Sequence, residues 1–242
     1  MPPLEHYSRQ LNYSYALGLY PAIQALEKAP QRVSRVLVHS LLEPGEGAQA
    51  LFALCEEHGI RTETADRVLR KVSGKDNCYA AAVVQKENQE LQLGRNHLVL
   101  VNPMDAGNLG TLLRTALGLG YFDIALITPC ADPYEPQTVR ASMGALFSLR
   151  VREYADINEY LKDAGERSLY PFMLSDSALS LQCAVQEKKA PFSLVFGNEG
   201  TGLPAVFAAL GQAVKIEQSD EVDSLNLAIA AAIGMYSFKE TY

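Results

Sequence analysis

The feature that most restricts the fold is a series of short, almost wholly apolar segments in the second half of the chain, separated by stretches of helical spacing. His97–Val101, Ile124–Thr128 and Phe192–Phe196 carry too little polar character to leave one face in water. Strands of that kind are covered on both faces, as in a parallel sheet whose crossover helices lie on either side. Helices are expected over Asn108–Leu119, Ile157–Ala164, Pro204–Leu210 and Ser224–Phe238, with a helical turn at Thr138–Met143. Further strands are expected at Leu149–Arg152, Ser168–Leu174 and Ala213–Glu217.

The first half alternates in the same way on a smaller scale. Leu11, Tyr15, Leu19, Ile23 and Leu26 recur at helical spacing, so residues 8–29 read as a helix that Pro21 kinks or splits. Strands follow at Val33–His39, Ile60–Thr64 and Tyr79–Gln85. Helices lie between them at Glu46–His58, ended by Gly59, and at Ala65–Val72. The polar stretch 86–96, with Gly94, is the linker candidate. The expected organisation is a small α/β domain over 1–88 and a larger α/β domain over 95–242, the latter a parallel sheet with helices on both faces.

Composition narrows the function classes. The 242 residues carry a net charge of −7, which argues against a broadly basic nucleic-acid surface, because phosphate contacts draw on Lys and Arg. The deficit falls mainly after residue 90. Arg61, Arg67, Arg70, Lys71 and Lys75 cluster before it, so a local RNA-binding patch and a solvated helix face are both open readings. Cys55, Cys78, Cys130 and Cys183 lie far apart, with no C-x-x-C and no Cys/His cluster, so reduced thiols and no metal site are expected. There is no eighteen-residue apolar stretch and no signal-peptide core near the N-terminus. A soluble cytoplasmic protein with no membrane partner is expected.

Three Gly/Asn-rich segments fall at or near predicted strand ends, where open parallel sheets bind ligands. The first, residues 102–116 (NPMDAGNLGTLLRTA), holds Gly107 and Gly110 for close backbone approach, Asn108 at a plausible helix N-cap, and Arg114 on the helix behind. The second, residues 194–203 (LVFGNEGTGL), runs from an apolar strand into Gly197, Asn198, Glu199 and Gly200. Such a loop offers backbone groups to a ligand, but it is neither a P-loop nor a dinucleotide fingerprint. The third, residues 223–236 (DSLNLAIAAAIGMY), opens with Ser224, Leu225 and Asn226 on a helix that is apolar nearly all round, and hence buried. Each segment alone has a structural reading as good as a functional one.

In this order and at this spacing the segments resemble the three motifs of the SpoU-type (TrmH-like) RNA 2′-O-ribose methyltransferases of the SPOUT superfamily. Residues 138–147 (TVRASMGALF) look like that family's Ser-x-Gly segment. The resemblance covers roughly 102–238. It implies a sheet whose C-terminal part forms a deep trefoil knot, S-adenosylmethionine as cofactor, a homodimer, and tRNA or rRNA as substrate. It also implies that the N-terminal unit is an RNA substrate-binding domain. The catalytic residues it implies are Arg114, Asn108, Glu199, Ser224 and Asn226. Those implied to hold the cofactor are Gly197, Asn198, Glu199, Gly200, Ile216, Ser224 and Leu225. The acidic run Glu217–Asp223 departs from the family's pattern before the Ser-Leu-Asn. Two other readings stay open: a catalytically silent RNA-binding member, and a small-molecule enzyme on a doubly wound sheet.

Overall fold

A computed structural model describes residues 4–175, 177–219 and 221–239 of the chain. The chain divides into two compact units: residues up to Glu87 together with Asp132–Ser148, and Asn88–Ala131 together with the rest.

The first unit begins with β1 (Tyr13–Leu17), α1 (Leu19–Lys28), β2 (Val33–Val38), α2 (Glu46–Glu57), β3 (Thr62–Thr64), α3 (Asp66–Ser73) and β4 (Ala80–Gln85). Its sheet has the order β1-β4-β2-β3, with β4 antiparallel to both neighbours and β2 parallel to β3. The helix expected over 8–29 is corrected here to a strand followed by a helix. Tyr13–Leu17 pairs antiparallel with Ala81–Gln85, and Tyr15 and Ala16 are both fully buried. Ladder pairing and burial on both faces outweigh the helical spacing of Leu11, Tyr15 and Leu19. Gly18, at φ 108°, separates the two elements. Pro21 then falls in the first turn of α1, where a missing N–H costs nothing. The cations singled out in the sequence are exposed, on α3 and just outside it. Several are engaged: Arg70 pairs with Asp76 at 2.8 Å, Arg61 with Glu63 at 3.5 Å, and Lys71 Nζ donates to the Leu4 carbonyl at 3.2 Å.

The second unit opens with β5 (His97–Val101), α4 (Ala106–Leu119) and β6 (Asp123–Ile127). Residues 132–148, which the sequence places within the larger domain, group instead with the first unit. There α5 (Pro136–Ala141) packs along β1, and Arg32 Nη2 donates to Tyr134 Oη at 2.8 Å. The second unit resumes with β7 (Arg150–Tyr154), α6 (Ile157–Ala164), β8 (Ser168–Pro171), β9 (Leu179–Ser180), α7 (Leu181–Gln186), β10 (Phe192–Phe196), β11 (Val214–Lys215) and α8 (Leu227–Phe238). Its five-stranded sheet, β7-β6-β5-β10-β8, is parallel throughout. Every residue of β5, β6 and β10 is buried, as the apolar runs require. The short β9 and α7 carry no strong periodicity and were not expected. The segment expected as a helix at Pro204–Leu210 is a 3-10 turn over Ala205–Ala209.

The amino ends of the strands are held by a buried polar network, and the expected linker is part of it. Leu91 is in the core, Gln92 N–H donates to Asp123 Oδ1 at 2.8 Å, and Arg167 donates to the carbonyls of Leu93 at 2.7 Å and Arg95 at 3.3 Å. Asp123 also accepts a two-pronged pair from Arg150 at 2.6 and 2.7 Å. Fully buried His97 lies between Gln92 and Tyr160: its Nε2 contacts the Gln92 carbonyl at 2.9 Å and its Nδ1 the Tyr160 hydroxyl at 3.0 Å. A carbonyl can only accept, so Nε2 carries the proton and neutral Nδ1 accepts from Tyr160. Burial holds the His97 pKa down to about 4. The unfolded chain therefore binds a proton that the folded chain refuses between pH 6.5 and 4, and stability falls as pH falls through that window. Urea unfolding followed across it should lose about 3 kcal/mol on this account. A His97→Asn variant, less stable at pH 7, should lack that part of the slope; an unaltered slope would exclude His97 as its source.

Candidate functional site

At the carboxyl end of β10 the chain turns through 197–202. Asn198 and Gly202 exchange backbone hydrogen bonds of 3.2 and 3.0 Å. The Asn198 side-chain oxygen accepts from the N–H groups of Gly200 at 2.9 Å and Thr201 at 3.2 Å, which closes the turn. A Cβ on Gly197 would stand 2.2 Å from the Gly202 carbonyl carbon, so only glycine fits.

This loop is tied to the start of α4. Asn198 Nδ2 donates to the Asn102 carbonyl at 2.8 Å, and Asn102 itself adopts φ 54°. The Glu199 carboxylate accepts from the backbone N–H groups of Met104 and Asp105, each at 3.3 Å, and from Asn108 Nδ2 at 3.5 Å. Asn226 Nδ2 in turn reaches Asn108 Oδ1 at 3.5 Å. One side-chain series, Glu199–Asn108–Asn226, thus joins the three segments singled out in the sequence.

Two helix starts differ from expectation. Asp105, rather than Asn108, caps α4, its carboxylate accepting from Asn108 N–H at 2.6 Å. Helix α8 starts three residues later than the expected Ser224, and Asn226 caps it, accepting from Ala228 N–H at 2.9 Å and Ile229 N–H at 3.4 Å. In both cases the cap lies two or three residues before the donor it satisfies, and that offset selects the residue. Asn108 and Ser224 are thereby released from capping: Asn108 for the series above, Ser224 to stand at the mouth of the cleft.

A cleft of about 400 Å³ opens beside this loop, at the carboxyl ends of β8 and β10. Gly197, Asn198, Glu199, Gly200, Ile216, Ser224 and Leu225 all line it. The rings of Phe172 and Phe196 stack in its wall, with centroids 4.2 Å apart. Gly234 of α8 lies against that pair, where a Cβ would come within 2.7 Å of Phe172. The lining includes two carboxylates, Glu199 and Asp223, and among the described residues no Lys, Arg or His. Such a cleft favours a cationic ligand and disfavours a polyphosphate.

Arg114 is not part of this lining. It lies on the exposed side of α4, roughly 9 Å along the helix from Asn108, and makes no hydrogen bond or ion pair with a described residue. The burial that would have demanded a partner for it is confined to Leu112, Leu113 and their neighbours on the opposite face. Asp220, in the acidic run, lies outside the described residues. Phe172, Asn102 and Gly234 were not anticipated. The strand-end rule could have found Phe172, just past β8, whereas nothing in the sequence marks the approach of α8 to it.

The sequence profile described as the SpoU rRNA Methylase family matches residues 95–236. The chain is 34% identical over 215 residues to an uncharacterized tRNA/rRNA methyltransferase of Synechocystis, covering 87% of this chain and 72% of that one. It is 30% identical over 170 residues to a 23S rRNA (guanosine(2553)-2′-O)-methyltransferase of Bacillus subtilis, covering 66% of this chain and 64% of the relative. Its fold is similar to that of an AdoMet-bound rRNA methyltransferase from Sinorhizobium meliloti, with a TM-score of 0.77 and 26% identity over 94% of this chain and 87% of that one.

The crowding at Gly197 gives a direct test. Gly197→Ala should force the turn apart, lowering stability by about 1–3 kcal/mol in chemical denaturation and abolishing ligand binding in the cleft. An alanine variant with unchanged stability and binding would mean that the turn does not depend on this contact.

Proposed function

The chain belongs to the SpoU rRNA methylase family, and we propose that it acts as an S-adenosylmethionine-dependent RNA 2′-O-ribose methyltransferase whose cleft beside β8 and β10 holds the cofactor, with the Glu199–Asn108–Asn226 series ordering the side that meets RNA. One observation carries the placement: the cleft is lined by two carboxylates and no described cation. A sulfonium ligand suits that field, whereas a dinucleotide's phosphates would be repelled, which weighs against a nucleotide cofactor on a doubly wound sheet. The volume of about 400 Å³ lies within the range of small-molecule sites.

When bound, the cofactor supplies an electrophilic methyl group on a sulfur that leaves as a neutral thioether. The residues of the chain have the harder task of activating a ribose hydroxyl and aligning it. The backbone of Gly197, Ile216 and Leu225 forms the cofactor-binding wall, with Asn198, Gly200 and Ser224 beside it. Glu199 fixes Asn108, and Asn108 and Asn226 face the acceptor nucleotide. Arg114 grips a phosphate of the RNA and steadies the developing alkoxide. A guanidinium with a pKa above about 12 is a poor base, so a phosphate oxygen or water takes the proton.

Arg114 does not reach the cleft of its own chain, and this favours a homodimer. Helix α8 packs along α4 yet leaves Ile229 55% and Tyr236 72% exposed, an apolar stripe at i, i+7. Thr111, Arg114 and Gly118 form the exposed side of α4. A two-fold pairing through these helices covers the stripe and offers each Arg114 to the partner's cleft. The trefoil knot is supported by the return of the chain after β10: β11 pairs with β9, Val214 bridges to Phe172, and α8 then lies on α4. The first unit serves as the substrate domain, and tRNA and rRNA are the candidate substrates of a cytoplasmic enzyme.

Transfer of labelled methyl groups to tRNA and rRNA, with 2′-O-methyl sites mapped afterwards, tests the activity; cofactor binding without transfer to either would favour a silent member. Arg114→Ala and Asn226→Ala should each lose at least ~10²-fold in turnover. Mixed as refolded or co-expressed chains, the two should recover about a quarter of wild-type activity, because half the dimers then carry one intact site. Failure to recover would place Arg114 in the cleft of its own chain.

A further inference from the structure

The acidic run before Ser224 is the part of the site that the function above does not use. One of its members, Asp223, lines the cleft, directly before Ser224 and Leu225, which line it too. The two carboxylates of the cleft are not equivalent. Glu199 is engaged by two backbone N–H groups and two side-chain amides. Asp223 is exposed and makes no hydrogen bond or ion pair with a described residue. The loop that carries it is shaped without it: Gln218 Nε2 donates to the Val222 carbonyl at 3.2 Å, and Glu221 N–H donates to Ser219 Oγ at 3.2 Å. Among the described residues its charge is therefore neither spent on the fold nor neutralised by a neighbour.

Methyl transfer changes the charge of whatever occupies the cleft. S-adenosylmethionine carries a sulfonium, an ammonium and a carboxylate, net +1. Once the methyl group has moved to the ribose oxygen, the S–C electron pair stays on sulfur and the product is a neutral thioether with net charge zero. The rest of the two molecules is the same, so shape and hydrogen bonding in the cleft separate them poorly. A fixed negative charge without a counter-charge separates them by Coulomb attraction alone.

We propose that Asp223 is a specificity residue that makes the cleft prefer the cationic methyl donor to its neutral thioether product. This rests on the reading of the cleft as the S-adenosylmethionine site. An exposed charge acting across an open cleft is screened, so its effect is several-fold rather than several orders of magnitude, roughly 3- to 10-fold. The preference eases product inhibition: the charge that helps to hold the donor loses its target when the methyl group leaves.

Isothermal titration of the full-length protein with S-adenosylmethionine and with S-adenosylhomocysteine, each at low and high salt, tests this without any turnover. Asp223→Asn should weaken donor binding roughly 3- to 10-fold at low salt and change product binding less than about 2-fold, with the difference shrinking as salt rises. Glu221→Gln, which removes a charge from the same loop outside the cleft lining, should leave the ratio of the two affinities unchanged. An Asn variant that loses donor and product equally, or loses neither, overturns the proposal. So does an equal effect of Glu221→Gln, which would assign the preference to the charge of the loop as a whole. A wild-type protein that binds neither molecule overturns the cofactor placement itself.

Discussion

The carboxylate of Glu199 lies against the backbone N–H groups that precede α4, and the arrangement of the site depends on that contact. Those N–H groups come before the first helical turn, beyond the reach of intrahelical acceptors, and the positive end of the helix adds to their pull on an anion. Glu199 satisfies those of Met104 and Asp105, and the Asp105 carboxylate caps the first turn itself at Asn108 N–H. The loop after β10, which lines the cleft, is thereby pinned to the loop after β5. The same contact leaves the Asn108 side chain free to link Glu199 with Asn226, and so brings the start of the last helix into the site.

The two ends of the parallel sheet do different work. At the amino ends, His97, Tyr160, Ser193, Asp123, Arg150 and Arg167 form buried polar contacts that are almost fully satisfied by one another and by the chain at 92–95. Charges buried in this way hold register and depend on every partner being present. At the carboxyl ends, side chains are left partly exposed, Gly197 is crowded by the backbone of Gly202, and Asp223 has no partner among the described residues.

Much of this was legible in the chain. The fully buried β5, β6 and β10 could be read from apolar runs, and α6 from its 3.6 periodicity, because burial on both faces and an amphipathic stripe are local patterns. The residues that the family resemblance implied for the cofactor, Gly197, Asn198, Glu199, Gly200, Ile216, Ser224 and Leu225, all line the cleft. The strand at 13–17 was not legible, since Tyr15 and Leu19 satisfy a helical and an extended pattern equally and only pairing with β4 decides between them. Asp105 and Asn226 as caps depended on where each helix begins, a matter of one or two residues that periodicity does not resolve.

By itself the sequence determined the class of fold, from its hydrophobic pattern, and carried the family resemblance, from motifs in a fixed order, which named part of the cleft lining. Only the tertiary structure decided which of them touch. It joined Glu199, Asn108 and Asn226 across more than a hundred residues, moved 132–148 into the first unit, and set Arg114 on an outward face. It also left Asp223 in the cleft lining without a partner among the described residues. Contacts between segments far apart in the chain are fixed by how helices and strand ends pack, and no local pattern encodes that packing.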